Sequence, residues 1–280
     1  MLPLSARAND STALSPDIIH TYWYCSAEKL NRNVAIYIPE GQGPFPVLYL
    51  LHGINGFEGS WLEQGDAAEI LAQQIEQGLC PPMILVMPDC NKWPYKVHPG
   101  NKNLWRYLLR YSRISKEHEI EYSISELMDK IDTTYDVSDF CAVAGLSDGA
   151  RIAANVANLR PDCIRTVGLF SPVLHKEQLP QDTTKSYSVY IGKKDIFKGS
   201  GKRFHKKMCK AGYRHQFVEL EGSHNWRMWR NCLAHFLSTM PQTNPEWSSL
   251  SADDPNIRFD SDSLCNSVSA FVPGTFHLFQ

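Results

Sequence analysis

From residue 34 to residue 240 the chain alternates short apolar runs with longer stretches of helical periodicity. VAIYI (34–38), VLYLL (47–51), MILVM (83–87), CAVAG (141–145), TVGLF (166–170), YSVYI (187–191) and QFVEL (216–220) read as strands. Five of the seven are nearly continuous in apolar residues, the pattern of strands covered on both faces of a mostly parallel sheet. Between them, Ala67, Ile70, Leu71 and Gln74 form a stripe ended by Gly78. Ile120, Ile124, Leu127, Met128, Ile131 and Tyr135 recur on one helical face. Ile152, Val156 and Leu159 are stopped by Pro161, and Phe204, Met208 and Ala211 precede Gly212, a natural helix C-cap. Trp226, Trp229, Leu233, Phe236, Leu237 and Met240 make the last stripe. Strands alternating with helices predict an α/β fold, a parallel sheet flanked by helices.

The ends differ in character. About the first 15 residues are expected outside the fold, as a leader stump or flexible N-terminus: Ala6-Arg7-Ala8 has the A-x-A form of a signal-peptidase site, but the apolar stretch before it is too short for a signal core. Residues 16–240 are expected to form the domain, and 241–280, polar and rich in Ser, Asp and Pro, an irregular or partly docked tail. The A-x-A pattern leans toward a secreted or periplasmic protein and the missing apolar core toward a cytoplasmic one.

Composition narrows the function. Of 280 residues, 43% are hydrophobic and 21% charged, which excludes disordered, collagen-like and coiled-coil chains. With 28 basic and 30 acidic residues the formal charge is −2, so there is no electrostatic case for nucleic acid or an anionic membrane. There is no stretch of 18 apolar residues to span a bilayer. The eight cysteines form no CxxC and no Cys/His spacing typical of zinc, and the serine chemistry set out below implies neither a metal nor an organic cofactor. Their even number permits disulfides without requiring them, and Cys141, inside FCAVAG, reads as a buried free thiol.

Gly145-Leu146-Ser147-Asp148-Gly149 matches G-x-S-x-G, with an apolar strand running in and a helical pattern running out. That is the strand–turn–helix of a nucleophile elbow, whose sharp turn demands small neighbours and whose helix N-terminus favours developing negative charge. A serine hydroxyl needs a base, and in this architecture the acid and the histidine follow it in the chain. Asp195 stands just beyond the strand ending at 191, on the rim where parallel sheets place functional residues. Asp182 is the fallback, placed before that strand. Of ten histidines, His224 sits on the loop after the strand at 216–220, with Gly222 and Ser223 giving it reach. His205, His215 and His235 lie in or beside helical stripes, where surface positions are expected. Two amides are needed for an oxyanion: that of Asp148, after the serine, and that of Ile54 in the His52-Gly53-Ile54 turn, with Gly53 next in order. His52 reads as a loop-orienting residue.

LYLLHG, Trp61, PPMILVMPD (81–89), the helix at 120–135, GLSDGA, the turn at 192–195 and GSHNWRMW (222–229) together resemble the esterase D family of α/β-hydrolases. That group includes feruloyl and acetyl xylan esterases, enterochelin esterases, S-formylglutathione hydrolases and mycolyltransferases. The likeness runs from about residue 34 to 240. It implies an α/β-hydrolase fold without a large lid domain, and Ser147, Asp195 and His224 as a triad cleaving a carboxylic ester through an acyl-enzyme. The family usually carries Met and Gly where this chain has Asp148 and Ala150. A carboxylate at 148 turned toward the nucleophile would oppose oxyanion charge; turned outward it would change nothing.

Residues 91–113 are basic and aromatic, and follow the third strand. Trp93, Tyr95 and Trp105 there, with Gly53 and Trp226, are candidate substrate contacts, suited to a carbohydrate-linked or aromatic ester; an amphipathic helix with a solvated basic face explains the same stretch. The alternatives to hydrolysis are an acyltransferase on the same triad and an inactive binding protein of the same fold. Oligomeric state is not legible.

Overall fold

All seven expected strands pair in one sheet of the computed structural model, which describes residues 16–26, 29–91, 119–173, 185–240 and 267–268. In chain order they are β2 (Leu30–Ile38), β3 (Phe45–Leu51), β4 (Ile84–Pro88), β5 (Val137–Leu146), β6 (Ile164–Phe170), β7 (Ser186–Gly192) and β8 (His215–Leu220). Two further strands complete it, β1 (Asp17–Cys25) and the two-residue β9 (Ser267–Val268). The order is β1-β2-β4-β3-β5-β6-β7-β8-β9. β1 and β2 are antiparallel to their neighbours, and every pairing from β4 onward is parallel.

The expected helices form as α2 (Ala67–Glu76), α3 (Glu119–Thr134), α4 (Asp148–Leu159), α5 (Lys198–Ala211) and α6 (Trp226–Thr239); a single turn, α1 (Ser60–Glu63), precedes them. Strand alternation sorts the core into two layers. Val47, Tyr49 and Leu51 of β3 face one layer with α3, α4 and α5. Leu48 and Leu50 face the other, with Trp61, α2 and α6. Gly212 ends α5 at φ 75°, the left-handed C-cap its position foretells.

β1 is absent from the sequence reading above. Its inward residues Thr21, Trp23 and Cys25 alternate with outward ones, and as an edge strand it mixes polar and apolar residues too evenly for a run to stand out. The Trp23 indole donates to the Ser123 carbonyl (3.1 Å), tying this edge to α3. Of the 241–280 tail, only β9 falls within the described residues; it pairs with Phe217 and Val218 of β8. Residues 1–15 lie outside them. Cys141 is a buried free thiol, as are Cys25, Cys80, Cys90 and Cys232. Cys209 is disulfide-bonded. Among the described residues no helix is long and apolar enough to cross a membrane.

The three histidines expected on the surface are half-buried instead: His215 is part of β8, His205 stacks on Phe217 of β8, and His235 contacts Tyr190 of β7. Burial pushes His235 down to about 4, with the Tyr190 hydroxyl 3.1 Å from its Nδ1. The unfolded chain takes up this proton near pH 6.5 and the folded chain only near pH 4. The contribution to stability is therefore whole above pH 6.5 and is lost as pH falls toward 4. Urea midpoints of wild type and His235→Gln at pH 7.5 and 4.5 test this. Wild type is expected to lose about 2–3 kcal/mol more than the variant over that interval.

Candidate active site

β5, β6, β7 and β8 are consecutive parallel neighbours, so their C-terminal ends lie side by side. Each is followed by one polar residue of the site: Ser147, Ser171, Asp195 and His224. The ladder continues beyond the strands, with the Ser147 amide donating to the Phe170 carbonyl and the Ser171 amide to the Tyr190 carbonyl, both at 2.8 Å. The loops after β7 and β8 are bound to each other. The Lys193 amide donates to the Leu220 carbonyl (2.8 Å) and the Lys194 amide to that of Gly222 (2.9 Å).

Ser147 lies at φ 55°, ψ −113°, a conformation that costs on the order of 1–3 kcal/mol for a residue with a side chain. Packing holds it there. A Cβ on Gly149 would come within 2.5 Å of the Leu51 and His52 carbonyl oxygens, and one on Gly145 would strike the Gly149 carbonyl. The two glycines of the motif let β5, α4 and the end of β3 touch backbone to backbone.

From this turn Ser147 Oγ stands 3.0 Å from His224 Nε2. His224 Nδ1 stands 3.1 and 3.2 Å from the two Asp195 carboxylate oxygens. The side chain of Asp195 is fully buried and that of His224 is 18% exposed, so the carboxylate is shielded and the imidazole is partly open to solvent. Burial alone would raise the Asp195 carboxyl, but hydrogen bonds from His224, Ser171 and the Phe197 amide outweigh it and hold the group below its ordinary value. Phe197 and Trp229 pack edge-on against the His224 ring, each with centroids 4.9 Å away.

His52 Nδ1 lies 2.7 Å from the Gly53 carbonyl and its Nε2 accepts from the Cys90 amide (2.8 Å). It thus fastens the turn after β3 to the turn after β4, where Arg32 donates to the Asp89 and Asn91 carbonyls (3.2 and 2.7 Å). A Cβ on Gly53 would lie 3.2 Å from Ser147 Cβ, so this turn runs directly beside the nucleophile candidate. Ile54 follows, half-buried. Trp226 is half-buried, with its ring edge-on to Trp61 (5.3 Å) and Trp229 (5.4 Å), in an aromatic group behind His224. Trp93, Tyr95, Trp105 and Asp182 lie outside the described residues.

Asp148 follows neither course set out from sequence. Its carboxylate is buried, and Arg151 grips both of its oxygens, Nε to Oδ1 at 2.7 Å and Nη2 to Oδ2 at 3.1 Å. The same guanidinium reaches Glu121 of α3 (Nη1 to Oε1, 3.1 Å), which also accepts from Asn155 (2.9 Å). The carboxylate next to Ser147 is thus ion-paired within α4, by a guanidinium it shares with Glu121 of α3. Spacing alone, Asp148 and Arg151 three apart on a helix, held this signal. Ser171 was also missed; its cue is a serine directly after an apolar strand.

His205, Cys209 and His215 form a group whose ligand atoms lie within 4.8 Å of one another. His215 opens β8, at the end of the sheet opposite His224. Cys209 is disulfide-bonded, so no thiolate is offered there. What remains is a His205–His215 contact (Nδ1 to Nε2, 2.9 Å), with His215 Nδ1 2.9 Å from the Tyr213 carbonyl.

A mostly parallel sheet with this strand order and an elbow after its central strand is the α/β-hydrolase fold. Residues 26–198 match the family described as "Putative esterase", and the chain belongs to that family. A Xylanibacter ruminicola protein named endo-1,4-beta-xylanase/feruloyl esterase is 28% identical over 251 residues, 83% of this chain and 33% of its own. The chain thus spans about a third of the length of that relative. A ferulic acid esterase from Anaeromyces mucronatus superposes at TM-score 0.64 with 21% identity, over 85% of this chain and 95% of its own. An S-formylglutathione hydrolase from Staphylococcus aureus superposes at 0.65 with 15% identity, over 85% and 100%. These last two likenesses establish the fold.

Removing one partner of a buried ion pair leaves the other charge uncompensated. Arg151→Ala is expected to cost about 3–5 kcal/mol in urea unfolding with an unchanged m-value. A loss below about 1 kcal/mol would mean that the Asp148–Arg151–Glu121 group does not hold α4 against α3.

Proposed function

We propose that this protein is a serine esterase in which Ser147 is the nucleophile, His224 the general base and Asp195 the acid that orients it. The observation that carries the reading is the unbroken chain of contacts, Ser147 Oγ to His224 Nε2 at 3.0 Å and His224 Nδ1 to Asp195 at 3.1 Å. His224 takes the hydroxyl proton as Ser147 attacks the ester carbonyl. The same proton then goes to the leaving alcohol, and water repeats the cycle on the acyl-enzyme. Asp195, ionised and hydrogen-bonded from several sides, keeps the Nδ1 proton in place and stabilises the imidazolium. The amides of Asp148, at the start of α4, and Ile54, beside the nucleophile, are the proposed oxyanion donors. The ion pair that turns the Asp148 carboxylate onto Arg151 supports this, because a free carboxylate there would oppose the developing charge.

The proposed substrate is a carbohydrate-linked or aromatic ester of the feruloyl class. Its support is the name of the Xylanibacter relative and Trp226, a half-buried ring two residues after His224. We further propose that the protein works outside the cytoplasm, a reading supported by the disulfide at Cys209.

A serine-reactive fluorophosphonate, with peptide mapping, is the test. Stoichiometric label on Ser147 in wild type, with none in Ser147→Ala and His224→Ala, is the expected result, as is a fall of about 10⁴-fold or more in activated-ester hydrolysis for each variant. A folded wild type that takes no label would overturn the triad.

A further inference from the structure

Ser171 is fully buried and is the first residue beyond β6. Its Oγ is 2.7 Å from Asp195 Oδ2 and 3.0 Å from Trp229 Nε1. An indole nitrogen only donates and an ionised carboxylate only accepts, so the direction of this chain is forced. Trp229 donates to the Ser171 oxygen, and the Ser171 hydroxyl donates to Asp195. Neither end can reverse.

The backbone supports the same reading. Ser171 sits at φ 49°, in the left-handed region that a residue with a side chain seldom occupies. Its amide is fixed on the Tyr190 carbonyl (2.8 Å), so its side-chain direction is set by the sheet. The other Asp195 oxygen accepts from the Phe197 amide (2.7 Å). The carboxylate is thereby held on both edges while both oxygens remain within 3.2 Å of His224 Nδ1. Trp229 also lies edge-on to the His224 ring. One indole therefore supports the acid through Ser171 and the base directly.

We propose that Ser171, oriented by Trp229, is a positioning residue for the reaction: its hydroxyl fixes the plane of the Asp195 carboxylate and so the reach of His224 toward Ser147. This rests on the triad reading above. Without the hydroxyl, the carboxylate can turn about its own bond and the imidazole loses its rigid support. The carboxylate also becomes more basic and holds the protonated ring more tightly.

Ser171→Gly is the primary test, because glycine tolerates φ 49° and isolates the hydroxyl from backbone strain. Thermal unfolding is expected to drop by a few degrees with the fold intact, because the buried Trp229 indole and one Asp195 oxygen lose their partner. The kcat for an activated aryl ester is expected to fall about 10- to 100-fold with KM within about twofold. The acid limb of the kcat/KM profile is expected to move to higher pH, a shift that a purely structural role would not produce. Trp229→Phe keeps an aromatic ring but loses the donor. It is expected to fall less, and the double variant to fall no further than Ser171→Gly alone. If Ser171→Gly fails to fold, Trp229→Phe carries the test through its own kcat and pH profile. Wild-type kcat and an unmoved acid limb in the folded variants would overturn the role of Ser171 while leaving a labelled Ser147, and hence the triad, intact. Absence of fluorophosphonate label on wild-type Ser147 would instead strike the triad itself.

Discussion

The strained backbone of Ser147 depends on close contact between three backbone segments. A serine at φ 55°, ψ −113° keeps that geometry only while the surrounding chain over-determines it. Here Gly149 lies against the Leu51 and His52 carbonyls and Gly145 against Gly149, so β3, β5 and α4 meet with no side chain between them. The turn aims Ser147 out of the sheet, starts α4 at the following residue and sets the His52–Gly53 turn alongside. Every other group of the site is placed relative to that fixed point.

Parallel pairing supplies the rest. Because β5 to β8 run the same way and adjoin in order, four polar residues from distant parts of the chain arrive on one rim. The polar chain then crosses the rim from Trp229 through Ser171, Asp195 and His224 to Ser147. Its two ends differ in environment. The indole and carboxylate are buried, where hydrogen bonds are strong and unmet groups costly, and the imidazole is partly open to solvent. Asp148 shows the same economy: a charge next to Ser147 is kept by burying it against Arg151.

Much of this was legible beforehand, for identifiable reasons. Most of the seven inner strands are buried on both faces, and five of them are written as nearly continuous apolar runs. The G-x-S-x-G turn declares itself because only glycines fit its contacts. Asp195 and His224 stood out by their place just after strands, in the order the elbow requires. β1 did not, since an edge strand with one exposed face needs only alternation, and Thr21-Tyr22-Trp23-Tyr24-Cys25 disguises it. His235 was read as exposed because its helix is amphipathic, yet it lies at the margin of the stripe and turns under Tyr190.

Sequence by itself determined the class of fold, the identity of the turn and the three residues proposed for chemistry, because each leaves a local signature in periodicity, glycine placement or position after a strand. Tertiary structure alone decided how those residues are held. That Ser171 donates to Asp195, that Arg151 reaches Glu121, and that His52 fastens two turns together are contacts between residues 24, 30 and 38 positions apart. No local pattern encodes them. They exist only once parallel strands have brought separate segments within hydrogen-bonding distance, in an interior where each polar group must find a partner.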